Sequence, residues 1–281
     1  MVAPKYTIAM TVFDREPEVL MSTFRWLAAC DLRDTEVVVV DDLSHIEYGW
    51  IEAYKPRMDL RWFRMDPYEC YTIGESGYKN PSKAFNRCLS EARGERITVI
   101  SSDVIVPPRV WDASKKVTSG VYCPMTIDLA SSMEYCGPHR LFPMPWFLAF
   151  DRRDALDCGG WDENYLLGLC WEDNDFVGRL ALKSKRMVCD WTSICWHQSH
   201  EQPAYNVDQH WVAAANSRNK AYTQEKWKGL PFGPPDMPAF SMGRSRDEAT
   251  GHLLLTFEDA KGVYELARAQ TLSPFIERAA A

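Results

Sequence analysis

The sequence predicts an α/β fold built on one mostly parallel sheet flanked by helices, and three observations carry the prediction. Short apolar runs at residues 7–13, 36–40 and 97–101 alternate with helical patterns, as in successive βαβ units. Residues 37–40 are four consecutive valines, which a strand tolerates only when both of its faces are buried in a parallel sheet. The chain has 281 residues, of which 46% are apolar and 25% charged, so it is long enough for a large core and is neither disordered nor fibrous in composition. Length alone is compatible with about two domains. The continuous pattern favours a single unit over residues 1–228, followed by a C-terminal extension at 229–281, a strap and a short helix.

Residues 7–13 (TIAMTVF) read as a buried first strand. In the helix that follows, Val19, Leu20, Phe24, Leu27 and Ala28 recur at helical spacing and form one apolar face. Glu36–Val40 is the central strand. Ser44 with Glu47 three residues on has the form of a capping box, so a helix is expected directly after the DDLS turn. Residues 61–65 (RWFRM) are a weaker strand. Residues 81–93 form a helix with Pro81 near its first turn and Gly94 just past its end, and 97–101 (ITVIS) is the next buried strand. Seven of the eleven tryptophans fall between 146 and 227, which marks a specialised half that builds a pocket onto the sheet. Prolines 231, 234, 235 and 238 make 229–240 extended, and a helix is expected over about 257–270.

Lysine and arginine number 32 against 39 acidic residues, a net charge of −7, which excludes nucleic-acid binding by phosphate neutralisation. The nine cysteines are scattered without a CxxC pair, so neither a disulfide framework nor a zinc ribbon follows. The run from Cys189 through Cys195 and His197 to His200 fits no zinc spacing, and reduced thiols are expected. No window approaches the ~18 apolar residues of a membrane span and no leader-like N-terminus is present, so the expectation is a soluble, cytoplasmic protein.

Three acidic clusters fall where strands or loops end: Asp41-Asp42, Asp103, and Glu172-Asp173 with Asp175. Ligands of open α/β sheets bind at the carboxyl ends of strands. Each cluster also has a plainer reading. Asp41-Asp42 suits a turn, and Asp173 suits an N-cap ahead of Phe176 and Leu180. Asp103 arrives after Ser101 and Ser102 at the end of an apolar strand and is harder to explain as a turn residue.

Taken in order, these segments resemble family 2 glycosyltransferases of the GT-A fold over roughly residues 5–200. The opening YTIAMTVFDREPEVL is similar to the family's first strand and helix, EVVVVDDLS to its nucleotide-base strand and turn, and NPSKAFNRCLSEARGE to its following helix. ITVISSDVIVPP aligns with the strand that ends in the DxD metal motif. DCGGWDENYLLGLCWEDNDF resembles the Gly-Gly-aromatic-Asp-Glu loop and the Glu-Asp base motif, and ICWHQSH places a histidine where many members have a late metal ligand.

The resemblance implies a nucleotide-binding half over about 1–105 and an acceptor-binding half over about 106–228. It assigns donor binding to Thr11, Phe13, Asp14, Asp42, Lys83, Asn86, Ser101, Ser102 and Asp103. Asp173 becomes the general base, with Glu172 orienting the acceptor beside Trp161, Asp162 and Trp171. Asp103 and His197 become ligands of a divalent cation, whereas His200 and His210 are poorer candidates by position. A mixed oxygen and imidazole site suits Mn2+ better than Mg2+. The usual first Asp of DxD is Ser101 here, which removes one charge from that strand end.

The activity implied is metal-dependent, inverting transfer from a nucleotide-sugar donor, foremost a UDP-sugar, to a glycan, lipid-linked or protein acceptor. Two other classes compete. A non-catalytic sugar-nucleotide or glycan-binding domain on a degenerate scaffold is favoured by Ser101 and opposed by Glu172, Asp173 and His197. A nucleotidyltransferase would carry a Gly-rich, basic loop after the first strand, and TVFDREPE is neither.

Overall fold

The computed structural model describes residues 4–67, 80–140, 143–167, 170–200, 209–227, 232–233, 237–238, 241–259, 262–271 and 273–276. In the first half, β1 (Tyr6–Val12), α1 (Pro17–Leu27), β2 (Thr35–Asp41), a 3-10 turn (Gly49–Tyr54), β3 (Asp59–Arg64), α2 (Ser82–Glu91) and β4 (Arg96–Ile100) follow one another. The strands lie in the order β3-β2-β1-β4, all parallel. Val12 pairs level with Asp41, so β1 and β2 end together at one edge.

The second half adds β5 (Val104–Ile105), α3 (Pro108–Lys116), β6 (Val121–Asp128), β7 (Glu134–Cys136), β8 (Phe147–Asp151), α4 (Arg152–Asp157), a second 3-10 turn (Glu163–Leu167), α5 (Glu172–Ser184), β9 (Arg186–His197) and α6 (Gln209–Lys226). After the two-residue partners β10 (Phe232–Gly233) and β11 (Met237–Pro238) come β12 (Ser241–Arg246), β13 (Leu253–Glu258) and α7 (Val263–Ala269). The main sheet has eleven strands along the path β12-β13-β9-β6-β8-β4-β1-β2-β3, with β5 on β9 and β7 on β6.

The four valines of β2 divide between two cores. Val38 and Val40 pack with Ala9, Phe85, Leu89, Phe176 and Leu180 on the side of α2 and α5. Val37 and Val39 pack with Ile8, Met10, Leu20, Phe24 and Trp111 on the side of α1 and α3. Removing both strand faces from water is what makes an all-β-branched run favourable there.

Several local expectations change. No capping box forms at Ser44, because its hydroxyl accepts from Asp14 N at 3.0 Å and its own N–H donates to Asp41 Oδ1 at 2.8 Å. The following helical turn is therefore delayed to Gly49 and is 3-10. Gly94 does not cap α2, which ends at Glu91 with Ala92 extended. It is glycine because a Cβ there would lie 2.5 Å from the Tyr6 carbonyl carbon and 2.6 Å from Thr7 N. The C-terminal segment contributes more than a strap and a helix: the hairpin β12–β13 joins the sheet edge, with Leu253 opposite Cys189 and Thr256 opposite Arg186. The helix expected from about 257 accordingly starts at Val263. Prolines 231, 234 and 235 and Cys70 lie outside the described residues.

The eight described cysteines are free thiols, with Cys123 Sγ 3.5 Å from Cys136 Sγ on neighbouring strands. Among the described residues, no helix is long and apolar enough to cross a membrane.

Candidate active site

The first cluster is assembled by strand pairing. After β4 the chain turns through Ser101–Asp103, with Val104 N bonded to Ser101 O at 3.1 Å. It then pairs with the end of β9, placing Val104 opposite His197. Gln198 N donates to Asp103 O at 2.8 Å and closes the junction. Asp103 and His197, distant in sequence, are thereby neighbours.

Asp103 is 3% exposed. Its Oδ2 is 2.9 Å from His200 Nε2 and 2.9 Å from Arg15 Nη2, while its Oδ1 is 3.7 Å from His197 Nε2 and makes no hydrogen bond. Burial alone would raise the Asp103 pKa, but the His200 contact and the charge of Arg15 outweigh it and hold the carboxyl below the ordinary range. His197 Nδ1 is 3.1 Å from Asp128 Oδ2, which turns Nε2 toward Asp103. The Tyr135 ring packs edge-on against the same imidazole at 4.9 Å. Asp128 is held ionised, at about 2, chiefly by the Ser131 N–H and hydroxyl.

One ligand atom each from Asp103, His197 and His200 lies within 4.8 Å of the others. A buried carboxylate flanked by two imidazoles, with one oxygen that makes no hydrogen bond, fits a divalent cation with mixed oxygen and nitrogen ligands. His200 corrects the ranking drawn from position: it lies closer to Asp103 than His197 does. The His-x-x-His spacing at the end of β9 was the available signal, and the cysteines of that run play no part, since Cys189 and Cys195 are buried in the core.

The second cluster opens α5. Cys170 and Trp171 take φ of 62° and 75°, a left-handed pair that turns the chain so that the helix starts at Glu172. Trp171 occupies the N-cap position, so the capping role considered for Asp173 does not apply. Glu172 and Asp173 lie in the first turn, where the helix dipole favours negative charge. Burial nonetheless raises the pKa of Asp173, opposed by the Trp161 hydrogen bond. Glu172 is raised further by burial and by the Asp173 charge, and its Oε2 has no hydrogen-bond partner.

Asp173 Oδ1 accepts from Trp161 Nε1 at 2.8 Å. Trp161 is fully buried, with Phe85 stacked on one side at 4.5 Å and Phe176 stacked at 3.6 Å. Its backbone is clamped by Asn86, whose Oδ1 accepts from Trp161 N at 2.8 Å and whose Nδ2 donates to Trp161 O at 2.7 Å. Gly160, at φ 62°, has no room for a side chain beside Asn86 Oδ1.

These contacts revise three expected ligand contacts. Trp161 has no ring face left for a sugar and acts instead on Asp173. Asn86 is buried and its amide is engaged within the protein, so it shapes the Gly-Gly-Trp loop rather than touching a donor. Asp162 is fully buried and ion-paired with Lys226 Nζ at 2.7 Å, with Tyr222 Oη donating at 2.8 Å. Trp171 is 9% exposed, donates to Asn216 Oδ1 at 2.7 Å and carries the Lys220 ammonium 5.7 Å from its ring centre. Asp175 is structural: Arg179, Lys226 and Trp227 all donate to it.

The remaining expected donor residues lie at the ends of β1, β2, β4 and α2. Asp14, at φ 43°, binds His45 N at 2.6 Å and faces His45 Nδ1 at 2.7 Å, joining β1 to the loop after β2. Phe13 sits 6.4 Å from the His45 ring. Asp41 serves its own turn and pairs with Arg64 at 3.2 Å, while the neighbouring Asp42 is buried beside Val12. Thr11, Lys83 and Ser101 are half-buried, and Ser102 Oγ accepts from Arg15 Nε at 3.3 Å.

No protein-family model matches the sequence, and no curated protein sequence matches it. Solved structures do resemble the fold. Residues 1–349 of S. aureus TarS in complex with UDP superpose with a TM-score of 0.56 at 17% identity, over 82% of this chain and 76% of that one. The UDP-GlcNAc complex of the same protein gives 0.58 at 16% identity with the same coverage. The mannosyltransferase PcManGT from Pyrobaculum calidifontis, with GDP-Man and Mn2+, gives 0.52 at 14% identity, over 80% of this chain and 65% of that one. The chain has the GT-A fold of these glycosyltransferases.

Proposed function

We propose that the chain is a glycosyltransferase that moves a sugar from a nucleotide-sugar donor, foremost a UDP-sugar, to an acceptor hydroxyl by single displacement with inversion. The observation that carries this reading is the Asp103–His197–His200 group, with a buried carboxylate oxygen that makes no hydrogen bond, at the carboxyl edge of a GT-A sheet. Structures of the same fold contain UDP, UDP-GlcNAc, or GDP-Man with Mn2+, which supports the donor class.

In this reading Asp103, His197 and His200 would hold a divalent cation, Mn2+ in preference to Mg2+, which would supply Lewis-acid stabilisation of the charge developing on the leaving diphosphate. Asp42 accepts the imide N–H of the base and Phe13 covers its ring, with Thr11, Asp14, Lys83, Ser101 and Ser102 around them. Asp173 takes the proton of the acceptor hydroxyl. Its raised pKa suits a base working near neutrality, and its place on the first turn of α5 holds it on a rigid element. Glu172 orients the acceptor beside Trp171.

A thermal-shift screen of nucleotides and UDP-sugars, with and without Mn2+, tests the reading. A ligand at 100 times its dissociation constant adds about 2.7 kcal/mol of stability. A UDP-sugar should raise the melting temperature more with Mn2+ than without it. The absence of any shift with nucleotide diphosphates or their sugars would sink the proposal.

A further inference from the structure

Arg15 follows β1 and lies against the cation-ligand group. Its Nη2 is 2.9 Å from Asp103 Oδ2, and its Nε donates to Ser102 Oγ at 3.3 Å. Its backbone is pinned, because Tyr48 Oη donates to Arg15 O at 2.7 Å. Its side chain is only 15% exposed. The guanidinium therefore has a fixed root and one principal counter-ion, and Glu16, with an oxygen 4.0 Å from Nη1, is a distant second.

That counter-ion is in demand. Asp103 is the one carboxylate of the ligand group, since Ser101 and Ser102 precede it on the same turn. Its charge is already balanced by Arg15. A divalent cation entering among Asp103, His197 and His200 would face a guanidinium bound to the same carboxylate, and like charges at such separations repel strongly in a buried site. With the cation in place and both imidazoles neutral, cation, Arg15 and Asp103 would hold two surplus positive charges, of which Asp128 behind His197 offsets one. A nucleoside diphosphate brings the compensating negative charge, and its oxygens offer the guanidinium fork the same planar, two-point acceptor that a carboxylate does.

We propose that Arg15 exchanges partners: it neutralises Asp103 in the unloaded site, opposes binding of the cation alone, and turns onto the diphosphate when cation and nucleotide enter together. The proposal rests on the cation reading given above. It makes cation and nucleotide binding mutually dependent, since each removes the obstacle that Arg15 presents to the other. A plain counter-ion that merely holds Asp103 in place would behave otherwise, because losing it would loosen the ligand group and weaken the cation.

Calorimetric titration of Mn2+ alone, and of UDP with Mn2+ present, into the wild type, Arg15→Met, Arg15→Gln and Asp103→Asn separates these accounts. Both Arg15 variants should bind Mn2+ more tightly, by about tenfold, the scale of one neighbouring charge on a carboxylate. Both should bind UDP roughly ten- to a hundredfold more weakly, the loss of a charge-assisted hydrogen bond. Using two neutral replacements of different shape guards against one of them failing to fold. If the wild type binds Mn2+, Asp103→Asn does not, and neither Arg15 variant binds Mn2+ more tightly, the partner exchange is wrong while the cation site stands. Unchanged UDP affinity in folded Arg15 variants overturns it equally. If no protein binds Mn2+, the cation reading fails and takes the exchange with it. Mn2+ binding that appears only in the Arg15 variants supports the exchange.

Discussion

The indole N–H of Trp161 reaches Asp173 Oδ1 across 2.8 Å, from a ring held between Phe85 and Phe176. One carboxylate oxygen is therefore fixed by a donor that cannot rotate away, and the orientation of the other follows from it. The hydrogen bond also favours the ionised form of Asp173 against the burial that raises its pKa.

Trp161→Phe keeps an aromatic ring in the stack and deletes the N–H. The acid limb of the kcat profile should move to higher pH, and kcat at neutral pH should fall roughly tenfold, the worth of one hydrogen bond to a charged group. A structural role alone would lower the melting temperature and leave the pH profile in place. Measuring both decides between them.

Asp173→Asn removes the proposed base and keeps the size. Transfer should fall by roughly 10²–10⁴-fold in kcat with donor affinity unchanged. Asp173 has a folded pKa raised to about 6, so its active, ionised form disappears as pH falls through that value. The same shift means that ionising Asp173 costs stability as pH rises from the ordinary carboxylate range to about 6. The Asn variant should therefore melt no lower than the wild type at neutral pH. Glu172→Gln should raise the acceptor KM more than it lowers kcat. Full transfer by Asp173→Asn would end the base assignment.

His200→Ala should weaken Mn2+ binding at least as much as His197→Ala, since His200 Nε2 is the nearer imidazole nitrogen to Asp103. Losing one ligand of three should cost tenfold or more, the scale seen even for groups supporting a ligand, roughly 10–100-fold. Titration of Mn2+ into each variant checks it, and wild-type affinity in His200→Ala would remove that residue from the site.

Lys226→Met tests the buried network behind α5. Lys226 Nζ contacts Asp162 at 2.7 Å, Asp175 at 3.0 Å and Thr271 Oγ1 at 3.0 Å, all in the interior. Removing one partner of a buried ion pair leaves uncompensated charge and costs about 3–5 kcal/mol. Denaturant unfolding should show a loss of that size, and a change under 1 kcal/mol would mean that the network contributes little.

Local pattern made the first half of this fold legible. The valines of β2, the apolar strands β1 and β4 and the face of α1 each follow from periodicity that neighbouring residues enforce. The acid pair at Glu172 and Asp173 was legible as well, because a helix start and a carboxylate dyad are both local. What the sequence hid depends on partners far along the chain. The Ser44 hydroxyl is occupied by the Asp14 N–H, so a capping box present in the letters is absent in space. His200 becomes a neighbour of Asp103 only through the pairing of β5 with β9. Trp161 beside an acidic motif reads as a sugar platform until its two faces are seen to be filled.

Among the described residues, the hairpin β12–β13 pairs with β9 and sets one margin of the sheet at β12, while β3 forms the other. An uncovered strand margin is a template on which a second chain can add, and charged side chains are the usual defence. Both margins carry arginines: Arg244 and Arg246 on β12, Arg61 and Arg64 on β3. On β3 the guanidinium groups are paired, Arg61 with Glu36 and Glu91 and Arg64 with Asp41, so it is two copies brought together along β12 that would set guanidinium groups against one another. A chain with a net charge of −7 thus carries a positive flank along β12, a disposition that works against strand addition between copies at that margin.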